Sequence, residues 1–260
     1  MKTSNILMTT AILIVLSSLV LYDFALKAEY LRMKELGENK QTNRFRDYEQ
    51  AAFKDFSSIE FKAANVFSVS VEYGEKEAVW IKNDVKNKVA VNQIGENLVV
   101  DLSNEGKLKN YYSNDYYAIV IICSRLKKMN TEVFTFTEKD TDKGKKVKTK
   151  SSDFSKNEIS GFEQDSLHLN IADHTKLTLN KNQFKYVNAL VGSNSSSPGW
   201  GGALSIGADN NINSLKLTVQ GKNSVEVLDT DIQNFEHHFS DSAKVTFSGI
   251  SLQKLSNQVR

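Results

Sequence analysis

Residues 215–234 read LKLTVQGKNSVEVLDTDIQN, and residues 235–254 read FEHHFSDSAKVTFSGISLQK. Laid over each other at an offset of 20, Leu215, Leu217 and Val219 meet Phe235, His237 and Phe239. Val225 and Val227 meet Val245 and Phe247, and Ile232 meets Leu252. Only His237 is not apolar. Steps of two place side chains on one face of a strand. The wider gaps of six and five between these groups turn the chain through corners. Each window therefore predicts two short strands that recur one repeat later.

The same intervals run backward through Leu167, Leu169, Ile171, Leu177, Leu179, Phe184 and Val187. A copy of 28 residues lies between: Val187, Ala189, Val191, Leu204, Ile206, Ile212 and Leu215, its extra length mostly at 193–202. A fragment at Ile119, Ile121, Leu126 and Met129 repeats the later intervals, and Thr131 and Val133 extend it. Further upstream, Phe56 to Leu102 alternates in short apolar segments between Gly, Asn and Asp corners. The expected fold is mainly β: a parallel β-solenoid-like stack of about 20-residue coils, each burying its face on the next. Leu179, Ile206, Val227 and Phe247 fall in one column of that register. The corners Asn180–Gln183, Gly207–Asn211 and Asp229–Asp231 carry residues that tolerate left-handed backbone. Chance alternation in a β-sandwich is the competing reading.

At the other end, Ile6 to Tyr22 holds no charge, and with Phe24, Ala25 and Leu26 reaches about the 20 residues that a helix needs to cross a bilayer. A cleaved signal peptide is the rival. Its small-x-small site has only Leu26-Lys27-Ala28 to offer, and no cysteine follows for lipid attachment. The expected organisation is a tail at 1–5, a transmembrane signal-anchor at 6–26, a juxtamembrane helix and linker at 27–55, and the β domain at 56–260. Two insertions are expected, one lysine-rich at 134–166 and a loop at 193–202. Lys2 before the span against Lys27, Arg32 and Lys34 after it argues for an inside domain. The short tail and large strand-rich domain argue for export. The expectation adopted is a single-pass bacterial membrane protein with its domain on the extracytoplasmic, periplasmic side.

The formal net charge of +2 supplies no global field toward nucleic acid, and aromatics are too sparse in the lysine-rich segment for a single-strand groove. No nucleic-acid partner is expected. Cys123 is the one cysteine and sits in the apolar run 117–123, where a buried, inert thiol is expected. His168, His174, His237 and His238 lack the spacing of a zinc site. Asp209, Asp229, Asp231 and Asp241 sit at corners without the calcium-binding nonapeptide. No catalytic, cofactor or metal residues are expected.

The strand-rich opening 56–102, then 118–129 (AIVIICSRLKKM) leading into stacked repeats, resembles the auto-transporter adhesin, head GIN domain family of bacterial envelope proteins. Fragments of its Gly-Ser-Gly-like turns stand at Ser160-Gly161, Gly192-Ser193 and Ser248-Gly249, with 245–249 (VTFSG) the nearest match. The resemblance covers about 56–255. It implies an exported parallel β-solenoid behind a signal or anchor segment, and no catalytic residues.

The candidate binding loop holds Asn194, Ser195, Ser196 and Trp200. An indole face stacks on a sugar ring, and amides and hydroxyls hydrogen-bond around it. The alternative for Trp200 is to plug the side of the coil. The repeat core is expected at Leu167, Ile171, Leu177, Leu179, Leu215, Val219, Val225, Val227, Phe235, Phe239, Val245 and Phe247. The function expected is non-catalytic binding or scaffolding, adhesin-like, with an envelope protein or glycan as partner and the membrane held through the N-terminal helix. The alternative is a carbohydrate-active β-helix enzyme, which requires carboxylates converging in a groove on one face.

Overall fold

In the computed structural model, the 20- and 28-residue intervals become parallel strand pairing. Leu167 lies beside Val187, Val187 beside Leu215, and Leu215 beside Phe235. On the opposite sheet Leu179, Ile206, Val227 and Phe247 are successive partners. The structure describes residues 13, 15, 17–19, 21–32, 44–103, 117–140, 144–149, 155–193, 201–249 and 251–253. The chain divides into two units, Met1–Asp47 and Tyr48–Arg260.

The first unit is helical at 21–32 and at the described positions between 13 and 19. Leu13, Val15, Leu19, Leu21, Tyr22, Phe24 and Leu26 are each more than half exposed. Ser17 and Ser18 donate their hydroxyls back to the carbonyls of Leu13 and Val15, so both polar groups are satisfied inside the helix. Among the described residues no helix is long and apolar enough to cross a membrane. Residues 6–12, 14, 16 and 20 of the expected span lie outside the described residues.

The second unit is mainly β. Its strands are β1 (Tyr48–Ala51), β2 (Ser58–Phe61), β3 (Val69–Tyr73), β4 (Ala78–Lys82), β5 (Val89–Ile94), β6 (Asn97–Leu102), β7 (Ile119–Cys123) and β8 (Lys128–Thr131). They continue as β9 (Thr135–Asp140), β10 (Gly144–Thr149), β11 (Asn157–Ser160), β12 (Glu163–Ile171), β13 (Lys176–Asn180) and β14 (Gln183–Val191). The last five are β15 (Ala203–Ile206), β16 (Asn211–Val219), β17 (Ser224–Val227), β18 (Asp231–Phe239) and β19 (Lys244–Phe247). One sheet runs β1-β4-β7-β3-β11-β13-β15-β17-β19, the other β18-β16-β14-β12-β8-β2-β6-β5. From β11 onward the chain alternates between the two sheets and every new strand lies parallel on its predecessor. The alternating apolar side chains between the sheets form one core. Leu167, Ile171, Leu177, Leu179, Leu215, Val219, Val225 and Val227 are buried in it.

The N-terminal part departs from the all-parallel expectation. β1 with β4, β4 with β7, and β5 with β6 pair antiparallel, so both sheets are mixed. The cause at β5–β6 is a tight turn around Gly95, with φ of 60°, which returns the chain directly beside itself.

Three finer expectations also shift. The repeat intervals set Met129 level with Val187, hence with Leu167, but it pairs with Leu169. β8 is only four residues long and joins β12 at its C-terminal half, one inward position further on. The lysine-rich insertion is narrower than 134–166. β9 and β10 form a separate antiparallel pair, but β11 and β12 belong to the two large sheets. β11 escapes an apolar pattern because Asn157 holds the column of Leu177. Its side chain donates to Ala64 O (3.0 Å) and Lys176 O (2.9 Å) and accepts from Val69 N–H (3.2 Å), tying β11 to both flanks. Finally, Leu252 leaves its expected core column. It is 56% exposed, while Ser251 beside it is buried, because the chain turns helical at 251–253.

Candidate binding surface

Four strands of one sheet bend at the same place. Phe184 and Val187 both point inward although three residues apart, as do Ile212 with Leu215 and Ile232 with Phe235. Regular alternation forbids this. The pairing shows how it is met: partners run Phe184 to Ile212, then Tyr186 to Ser214, skipping Lys185 and Asn213. The strand bends at the skipped residue and pushes it outward. Outside the bend, Glu163, Gln183, Asn211 and Asp231 form one row across β12, β14, β16 and β18. Asp165, Lys185, Asn213 and Gln233 form the next.

From β12 to β16 these rows line an open groove of about 350 Å³. Its floor includes Phe184, which is buried, and Gln164, whose amide is committed to Leu126 and the Ser166 carbonyl. Asp165 and Lys185 pair at 2.7 Å. That hydrogen bond and charge hold the Lys185 ammonium above the usual lysine range. Both side chains are well exposed, so the pair contributes little to stability. The amides of Gln183, Asn211 and Asn213 make no hydrogen bonds with other described residues, and Glu163 stands exposed beside them.

At the far end of β14, roughly 26 Å along the strand, stands the base of the 193–202 loop. Asn194, Ser195, Ser196 and Trp200 lie outside the described residues. The base itself is tightly built. Gly192, with φ of 82°, donates to Ile171 O at 2.7 Å. Ser193 donates its hydroxyl (2.6 Å) and its N–H (3.2 Å) to Asp173. Asn223, buried between, accepts from Gly202 N–H and donates to Gln220 O. A Cβ on Gly192 would lie 1.7 Å from the Asn223 amide, and one on Gly201 2.3 Å from Lys222 O. Only glycine fits either place. The groove and the loop base are separate features.

The histidines do not converge. His168 is exposed and meets Tyr186 edge-on at 6.1 Å. His174 occupies a left-handed turn, and His237 and His238 lie on β18. Among the described residues no group of three His, Cys, Asp or Glu side chains is placed to hold a metal. Of the corner aspartates, Asp229 is left-handed and exchanges hydrogen bonds with Ser248. Cys123 is buried, and burial pushes its thiol up to about 12, with Glu77 adding to the effect.

What the sequence reading missed lies one residue inside those corners. Asn182, Asn210, Thr230 and Ser251 are buried in a vertical row. Asn182 donates to Ile159 O, Asn210 to Leu179 O and Gly207 O, Thr230 to Gly207 O, and Ser251 to Thr230 O. Asn in a corner reads as a surface turn residue. The recurrence of a small polar residue two places before an inward apolar one, Asn182 before Phe184, Asn210 before Ile212 and Thr230 before Ile232, is the signal that distinguishes the row.

No family model matches the chain, and no curated protein matches it. Several solved structures do. One is described as a "putative adhesin" from Bacteroides fragilis NCTC 9343, at 10% identity, covering 77% of this chain and 96% of that one, with a TM-score of 0.48. Another, from Parabacteroides distasonis ATCC 8503, is described as a "putative lipid binding protein"; it shares 12% identity over the same coverage, with a TM-score of 0.28. A third is a "putative adhesin" from Parabacteroides merdae ATCC 43184, at 12% identity and a TM-score of 0.29, covering 77% and 95%. At these scores the likeness decides neither fold nor function.

Proposed function

We propose that this chain is a membrane-anchored β-solenoid that binds a polar, carbohydrate-like polymer without chemically altering it. The reading places the domain outside the cytoplasm and 6–26 in the membrane, in line with the family resemblance of the sequence. The solenoid is supported by the in-register parallel columns from β11 to β19. The observation that carries the binding function is the groove outside the bend. Amides stand there on neighbouring strands, Gln183 on β14 and Asn211 and Asn213 on β16, with Gln183 and Asn211 paired at the inter-strand spacing of about 4.8 Å. Such a cluster offers amide donors and acceptors on two adjacent strands, which suits the hydroxyls of a polar chain laid across them.

One observation favours an enzyme as the second reading. Glu163 and Asp165 project from the same strand into the groove beside Lys185. Two carboxylates and a base on one face are the arrangement a polysaccharide-cleaving helix needs. Against it, the Asp165 carboxylate is 81% exposed and bound to Lys185. A general acid that works near neutral pH needs shielding from water to keep its proton.

The test is a glycan array probed with the full chain in detergent. A polysaccharide should bind and be recovered intact, and Gln183→Ala with Asn211→Ala should weaken binding about tenfold, the loss of one or two hydrogen bonds. Unchanged binding in that variant removes the groove as the site. New reducing ends in the bound polymer, lost with Asp165→Asn, establish the enzyme instead.

A further inference from the structure

We infer that two copies of this chain associate end to end through β18, antiparallel about a two-fold axis at His237. Each coil in the stack is sealed by the next. Leu215, Leu217 and Val219 are fully buried because β18 lies on β16. β18 ends its sheet, and among the described residues no strand lies beyond its Phe235 to Phe239 stretch; toward its start Ile232 is buried, and Asp231, Ile232 and Gln233 have further partners. In the same three columns it carries Phe235, His237 and Phe239. The two phenylalanines are half-buried and His237 is exposed. Phe235 and His237 stack at 5.1 Å, and His237 and Phe239 lie at 4.8 Å. Phe235 also meets Phe247 of the last strand of the other sheet at 5.6 Å. From Phe235 to Phe239 the end of the stack is therefore an aromatic ridge along an exposed strand edge. Such edges are usually blunted by lysine or proline, and residues 231–239 (DIQNFEHHF) contain neither.

The occupant follows from the pattern of this strand. Antiparallel pairing about His237 sets Phe235 against the partner's Phe239 and His237 against the partner's His237, which continues the core face. On the outer face it sets Glu236 against the partner's His238. By symmetry the aromatic and carboxylate–imidazole matches occur twice. Glu236 already holds Lys216 of its own chain and is exposed. A two-fold at Phe235 instead sets Glu236 against Asn234 and His238 against Ile232, and loses both matches. Aromatic pairs and opposite charges are the cross-strand pairs that stabilise antiparallel neighbours. A strand complementary to itself in one register takes a second copy in an isologous contact.

Sedimentation equilibrium of the full chain in density-matched detergent tests this. The expected mass is twice the chain's 29.2 kDa. His238→Glu, which faces Glu236 with a like charge at two places, should weaken the dimer about tenfold, and His238→Lys should preserve it. His237→Cys should give a disulfide-linked dimer on mild oxidation, since facing positions across a strand pair are within reach and Cys123 is buried. A monomer overturns the proposal. So does a dimer indifferent to His238→Glu that also fails to cross-link through His237→Cys. So does a monomer that becomes a dimer once residues 254–260 are removed, because the chain's own end then covers the ridge.

Discussion

Asn182 and Asn210 sit one above the other in a buried corner, and the Asn182 side-chain amide donates to Asn210 Oδ1 at 3.0 Å. The same oxygen accepts the Asn182 backbone N–H at 3.1 Å. Asn182 in turn accepts the N–H of Phe162 at the coil below. This row supplies partners to backbone groups that the corners would otherwise leave buried and unpaired, each costing about 1–3 kcal/mol. Asn210→Ala strands several of them at once and should cost about 3 kcal/mol, or roughly 9 °C in Tm for a chain of this size. Its neighbour Asn211 points outward, and Asn211→Ala should change stability by no more than about 0.5 kcal/mol. Thermal melts of the two variants side by side check the contrast. Equal shifts mean the corner row is not what holds the coils in register.

The column Leu179, Ile206, Val227, Phe247 yields a second contrast. Val227 is fully buried between Ile206 and Phe247. A carboxylate there loses its water and gains no partner, so Val227→Asp should cost upward of about 4 kcal/mol. Thr218 is half-buried on the outer face, between Leu190 and His238, and Thr218→Asp should cost about 1 kcal/mol or less. Denaturant titrations measure both. Comparable losses would reverse the assignment of faces.

These contrasts show how much of the architecture is written in apolar spacing. The intervals of two, six and five from Leu167 to Phe247 correspond to the pairing observed, residue by residue, because a parallel column needs the same inward position in every coil. Spacing fails where a polar residue takes such a position. Asn157 is bonded to strands on both sides, so β11 is a core strand that an apolar count cannot find. It fails again where an interval recurs without its geometry: the step of three at Leu126–Met129 matches Phe184–Val187, yet Met129 pairs one inward place further along. The groove was not legible at all. Glu163, Gln183 and Asn211 are ordinary exposed polar residues until the bend brings them into a row. The reverse holds for the loop at 193–202. Its Gly192, Gly201 and Gly202 are conspicuous in sequence, but that Asn223 fills the space between them is a fact of packing.

Cys123 gives a prediction in pH. Burial raises its thiol from an ordinary 9.0 to about 12 in the folded chain. The folded state therefore keeps a proton that the unfolded state gives up. Between those two values the native state binds more protons, and stability falls as pH rises. The contribution is complete below pH 9 and is lost progressively toward pH 12. Cys123→Ser or Cys123→Ala should flatten that part of the profile, whatever either does to stability at neutral pH. In the native chain at pH 8 a thiol reagent should react only as fast as the domain opens, and at full speed in denaturant. Rapid native labelling would show a thiol within reach of solvent.

The last prediction concerns the N-terminal segment. An uncharged run from Ile6 to Tyr22 leads into a helix in which Leu21, Tyr22, Phe24, Leu26 and Tyr30 are more than half exposed, and its serine hydroxyls are returned to its own backbone. Water is a poor solvent for such a surface, and a bilayer core is a good one provided the polar groups are internally paired. The chain should therefore remain with membranes after both high-salt and alkaline washes, and mass spectrometry should find residues 6–26 still attached. A mature N-terminus near Glu29 would identify a cleaved signal peptide and leave the domain unanchored. Protease added to spheroplasts then decides the side. If the domain is exported it is digested without lysis. If Lys27, Arg32 and Lys34 hold the C-terminal side in the cytoplasm, as positive charges beside a span generally do, digestion waits for lysis. A glycan-binding groove facing the cytoplasm would meet none of the envelope polymers proposed for it.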